Sequence, residues 1–176
     1  MHQIGEAAAP SFTAPVAMLR ACHQRILQQC DTLERLPSYI AEHGADEQVR
    51  QAAGKILRYF SQAGLAHHED EEEQLFPWLL AQPTFPEDLR KMLRNLIQEH
   101  RQLDAAWAEL APDLRVLEAG GQIRWLHIAP FVTIHRRHIV VENEHIFPVA
   151  EALLDAETAQ RIGMQMAERR RLGGES

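Results

Sequence analysis

The stretch His67-His68-Glu69-Asp70-Glu71-Glu72-Glu73-Gln74-Leu75-Phe76-Pro77 decides the fold. It sets a histidine and a glutamate four residues apart, one above the other on a helix face. That face is otherwise apolar. Val49, Ala53, Ile56 and Phe60 precede His67 and Glu71 at helical spacing, and Leu75 and Trp78 follow. The pattern returns as His138-Ile139-Val140-Val141-Glu142-Asn143-Glu144-His145-Ile146-Phe147-Pro148, on a stripe of Ile123, Leu126, Phe131, Ile134, Ile146 and Val149. Both copies read H-x-x-x-E-x-E-x-x-F-P, with Glu73 and Glu144 at the second acidic position.

Working outward, each copy follows a helix that carries one inward histidine. His23 lies in the stripe Val16, Leu19, Ile26, Cys30, Leu33; His100 lies in Leu89, Leu93, Leu96, Leu103, Trp107, Leu110, Leu114, Leu117. The chain therefore reads as two helical hairpins related by duplication. The first helix begins at Pro15, with Thr13 or Ser11 as cap, and Pro37 marks its end. Asp46 caps a second helix over 47–81, which Pro77 kinks or restarts. The third spans 87–118, with a bend expected at Pro112 and a stop at Gly120-Gly121. The fourth spans 122–154 and is punctuated by Pro148. A last helix, 157–171, turns Ile162, Met164 and Met166 inward and ends in Glu168-Arg169-Arg170-Arg171, an arginine cluster expected to be solvated. The expected fold is all-α, an up-down-up-down four-helix bundle with a short extra C-terminal helix. Residues 1–12 read as a flexible tail, 13–155 as the bundle, and 156–176 as the C-terminal helix and tail.

Composition narrows the function classes. The chain has 176 residues, is 45% hydrophobic and carries a formal charge of −7. That length can bury a core without staples. An acidic chain has no general attraction for nucleic acid or anionic membranes, so neither is an expected partner. No apolar run reaches the roughly 18 residues of a membrane span. The opening Met-His-Gln-Ile-Gly-Glu has no basic region followed by an apolar core, so no secretory signal is expected. Cys22 and Cys30, two helical turns apart, are too distant to pair with each other, which fits a reduced, cytoplasmic protein.

Ten histidines stand out. Unpaired carboxylates and several imidazoles inside a bundle are costly. A buried polar network in a metal-free interaction module would satisfy two or three such groups. Six groups converging in matched pairs are better satisfied by cations. Imidazole nitrogen with carboxylate oxygen suits iron, manganese or zinc. Two bridging carboxylates would leave two histidines for each of two ions. Of the remaining histidines, His68 falls at the bundle edge. His127 and His135 line up roughly with His138, as groups behind the ligands or part of an access path, with rim packing the expected role. His145 lies two turns beyond His138, and His2 and His43 read as exposed. Cys22, beside His23 but turned away, reads as packing.

With these motifs the chain resembles the hemerythrin-like HHE cation-binding family over about 16–154. The resemblance implies a four-helix bundle around a non-haem di-iron centre, two iron ions with a bridging oxo or hydroxo group, with zinc or manganese as other occupants. The metal ligands it implies are His23, His67, Glu71, His100, His138 and Glu142. It implies binding or sensing of O2 or another small diatomic, or iron handling. Oxygen-carrying members have a further histidine one turn before the third-helix ligand, where this chain has Leu96. The four-histidine, two-glutamate set also resembles proteins that respond to nitric oxide and oxidative stress and repair damaged iron–sulfur centres, which makes O2 and NO the small ligands to consider.

Overall fold

The computed structural model describes residues 13–173. The expected tail 1–12, with Ser11 and His2, lies outside the described residues. The helices are α1 (Pro15–His43), α2 (Glu47–Ser61), α3 (Ala63–Asp70), α4 (Phe76–Ala81), α5 (Glu87–Glu118), α6 (Ala129–Val141), α7 (Phe147–Leu153) and α8 (Ala156–Leu172). Single π turns, Glu71–Leu75 and Glu142–Ile146, join α3 to α4 and α6 to α7. No strand occurs among the described residues.

The bundle has four arms: α1, then α2–α3–α4, then α5, then α6–α7. Neighbouring arms pack in a ring, α1 on α2, α2 on α5, α5 on α6 and α6 on α1, and α8 lies against α1 and α3. This is the expected up-down-up-down bundle with an added helix. Turns connect the first three arms, a longer irregular segment, 119–128, joins α5 to α6, and Gly44 and Gly120 adopt the positive φ values, 76° and 81°, that end α1 and α5. Asp46 caps α2 as expected, accepting from the backbone N–H groups of Gln48 and Val49. No helix among the described residues is long and apolar enough to cross a membrane.

Two apolar cores fill the bundle. One contains Ile26, Leu33, Ile56, Phe60, Leu103, Leu114 and Phe131. The other contains Leu19, Leu75, Phe76, Leu93, Leu96, Phe147 and Met166. Between them lie the buried polar side chains His23, His67, Glu71, His100, His138 and Glu142.

Several boundaries depart from expectation, each for a local reason. α1 begins at Pro15 behind Ala14, without a side-chain cap, and runs through Pro37 to His43. Pro37 is exposed, so its ring meets no packed neighbour, while Leu33 and Leu36 continue the buried stripe through it. The long second helix is broken at Gln62 (φ −125°, ψ −83°) and again by the π turn. The fourth arm starts only at Ala129, because Pro130 suits a first turn and restricts the residue before it. Ile123 and Leu126 therefore sit half-buried in an irregular segment, and His127 is exposed off the helix.

The C-terminal arginines are not simply solvated. α8 packs Ile162 and Met166 into the second core and aims Arg169 and Arg170 at the buried Asp70. Met164, expected inward, is exposed.

Candidate metal centre

Each H-x-x-x-E copy ends an α-helix and opens a π turn. In both, the glutamate carbonyl accepts from the N–H five residues on, Glu71 from Phe76 and Glu142 from Phe147. The proline after each phenylalanine has no N–H to continue an α-helical ladder, and the wider turn accommodates it. Pro77 and Pro148 thus start new helical segments, as the punctuation at those positions implied.

The structure brings all six sequence-predicted side chains into one buried layer. Two sets of four, His23–His67–Glu71–Glu142 and Glu71–His100–His138–Glu142, each gather one donor atom per residue within 4.8 Å of one another. Both carboxylates belong to both sets. Glu142 Oε2 lies 3.0 Å from His23 Nε2, and its Oε1 lies 3.0 Å from His138 Nε2. Glu71 Oε1 lies 3.2 Å from His67 Nε2, and its Oε2 lies 3.4 Å from His100 Nε2. Each hairpin supplies the histidine pair of one set.

Three imidazoles are oriented by their other nitrogen. His100 Nδ1 faces Glu72 Oε1 at 2.8 Å, His23 Nδ1 faces Asn143 Oδ1 at 2.9 Å, and His138 Nδ1 faces Glu99 Oε2 at 3.1 Å. Nδ1 donates to these oxygens, which leaves Nε2 as the inward donor atom. Phe147 stacks on His23 and Phe76 on His100, so each Phe-Pro motif supports the histidine of the other hairpin's leading helix. Glu72 and Asn143 stand at matched positions of the two copies, and sequence reasoning gave neither a role. It missed Glu99, for which the only signal was its place beside His100.

The residues present fit a pair of cations. His23 Nε2 and all four oxygens of Glu71 and Glu142 are buried with no hydrogen-bond partner. His100 Nε2 and His138 Nε2 face each other at 3.0 Å with their Nδ1 atoms already engaged, an arrangement that a shared proton or a cation must hold. Burial works against charging His138 and His23, yet Glu142, with Glu99 and Glu71, pushes them up to about 10 and about 9. His67 is pushed down to about 4, chiefly by burial. Burial also opposes ionisation of Glu71 and Glu142, but the surrounding imidazoles hold both below the usual carboxylate range.

The other histidines divide. His68, expected at the edge, is half-buried and stacks on His100 at 4.1 Å. His135 is buried rather than at the rim, with Nδ1 3.2 Å from the Phe131 carbonyl, and burial pushes it down to about 3. His127, His145 and His43 are exposed and belong to neither four-donor set. Cys22 and Cys30 are free and buried. A pocket of about 130 Å³ reaches inward between Phe60, Gly64, Leu103, Trp107 and Phe131 and meets His68 and His135.

An all-α bundle whose polar layer combines four imidazoles and two shared carboxylates defines a cation-binding helical protein. The chain matches the model of the hemerythrin HHE cation binding domain over residues 14–150, and it belongs to that family. It is also similar to an uncharacterized protein of Haemophilus influenzae, with 30% identity over 164 residues, covering 92% of this chain and 93% of that protein.

Proposed function

We propose that this chain is a non-haem di-iron protein that binds or senses O2 or another small diatomic. The observation that carries the reading is the sharing of Glu71 and Glu142 by two four-donor sets in a buried layer. His23 and His67 would hold one ion, His100 and His138 the other, and both glutamates would bridge. Four protein donors per ion leave room for a bridging oxo or hydroxo group and for an external ligand. Bound there, the ions supply Lewis acidity and redox chemistry. Manganese and zinc suit the same donors, and iron is the occupant this reading selects.

The chain's own residues set access and orientation. Phe60, Ile26 and Leu96 restrict water around the layer, and the pocket ending at His68 and His135 is the route for a small ligand. The free, buried thiols suit a reducing compartment, and the reading places the protein in the cytoplasm. In this reading residues 13–155 form the functional bundle, and α8 (Ala156–Leu172) stabilises it from outside.

Leu96, buried where oxygen carriers have a further histidine, favours a second reading, a response to nitric oxide or oxidative stress with repair of damaged iron–sulfur centres. Optical spectroscopy of the iron-loaded protein tests the pair. A visible iron band that bleaches when O2 is removed and returns on readmission supports reversible binding. A band lost irreversibly with O2 but reversibly perturbed by NO supports the second reading. Iron-loaded protein that responds to neither gas contradicts both.

A further inference from the structure

The duplication preserved the six inward donors but not the groups behind them. His100 and His138 are each backed by a carboxylate, Glu72 at 2.8 Å and Glu99 at 3.1 Å. His23 is backed by the neutral amide oxygen of Asn143, which also accepts from the Arg20 guanidinium at 3.3 Å. His67 Nδ1 has no hydrogen-bond partner among the described residues. The position equivalent to Glu99, the residue before the leading histidine, is Cys22, whose thiol lies 4.0 Å from Arg170. We propose that the two cation positions are unequal: the His100–His138 position fills first and binds more tightly, and the His23–His67 position holds a weaker, exchangeable ion. This deepens the di-metal reading and rests on it.

The physical basis is charge transfer through the imidazole ring. A carboxylate accepting from Nδ1–H makes Nε2 a stronger donor and fixes the ring. Loss of such a partner costs about 10- to 100-fold in metal affinity. An amide oxygen does less, and a neighbouring guanidinium weakens it further. Arg101 and Arg137 do contact the two carboxylates, but through the opposite oxygens, Glu72 Oε2 at 2.9 Å and Glu99 Oε1 at 2.6 Å. Their side chains are mostly exposed, so solvent screens their charge, and their main effect is to aim each carboxylate at its imidazole. Glu71 and Glu142 are shared and cannot discriminate between the positions. Glu72 and Glu99 are therefore positioning residues for the tighter ion.

The test uses the full chain, stripped with chelator and titrated with Co2+ without oxygen, followed by visible absorption and calorimetry. The expected result is two one-equivalent steps about 10-fold or more apart. Crystals grown with one equivalent should show anomalous signal between His100 and His138. The variant E72Q/E99Q, folded by circular dichroism, should weaken the first step about 10- to 100-fold and spare the second. N143D should strengthen the second step alone. Equal occupancy at one equivalent, first filling between His23 and His67, or variants that shift both steps alike overturn this proposal. Absence of any bound Co2+ in the parent is a different result, which overturns the di-metal reading itself.

Discussion

Arg170 of α8 lies 2.6 Å from the buried carboxylate of Asp70, the residue next to Glu71, and Arg169 holds the other Asp70 oxygen at 2.9 Å. A helix outside the four-arm bundle thus neutralises a charge inside it. Removing both arginines leaves Asp70 buried and unpaired. R169A/R170A should lose about 3–5 kcal/mol of unfolding free energy in urea, while D70N in the parent should lose less. A loss within about 0.5 kcal/mol for the double variant would show that the pair is solvated rather than structural.

The metal-free protein should have a stability maximum near neutral pH. His23 and His138, raised to about 9 and about 10, bind protons more tightly folded than unfolded. Their contribution is complete below the unfolded value of 6.5 and is lost as pH rises through 9 to 10. His67 and His135, lowered to about 4 and about 3, act in the opposite sense, because the unfolded chain takes the proton first. Stability is then lost as pH falls from 6.5 toward those values. Thermal unfolding of chelator-treated protein should therefore give a Tm that peaks near 6.5 and declines on both sides. Iron-loaded protein should lack the alkaline decline, since binding has already displaced those protons. A metal-free Tm that climbs steadily to pH 9 contradicts this assignment.

Substitution of a layer residue should lower iron content and stability together. A metal bound only by the folded state stabilises it by about 2.7 kcal/mol at a hundredfold excess over Kd. H67A and E142A should retain less iron and melt below the loaded parent, and the gap should narrow when all three are stripped. An unchanged Tm in both, with iron measured in the parent, is the contrary outcome.

Gly64 borders the pocket, and a Cβ added there would meet Phe60 Cδ1 at 2.9 Å. G64A should cost about 1–3 kcal/mol through overpacking. It should also slow NO association with iron-loaded protein in stopped-flow mixing, at unchanged iron content. An unaltered rate would place the access route elsewhere.

The sequence revealed the bundle and its polar layer because both depend on periodicity. Histidine and glutamate on apolar stripes are visible at four-residue spacing, and the second copy confirms the register. What it concealed depends on contacts between distant segments. Asp70 and Arg170 are separated by four helices, and each alone reads as an ordinary surface charge. His135 reads as rim until Phe131 and Phe60 close over it. The π turns were hidden because Phe-Pro after Glu71 and Glu142 signals a break without specifying its type. The late start of α6 is signalled by Pro130, but Ile123 and Leu126 carry the helical period into an irregular segment and mask it.

Metal analysis of the purified chain after anaerobic iron reconstitution tests the central claim most directly. The account predicts close to two irons per chain, falling toward one or none in variants of Glu71 or Glu142. Folded protein that retains no iron, with a stability unaffected by chelator, would contradict it and leave the six converging side chains as a proton-bridged polar network.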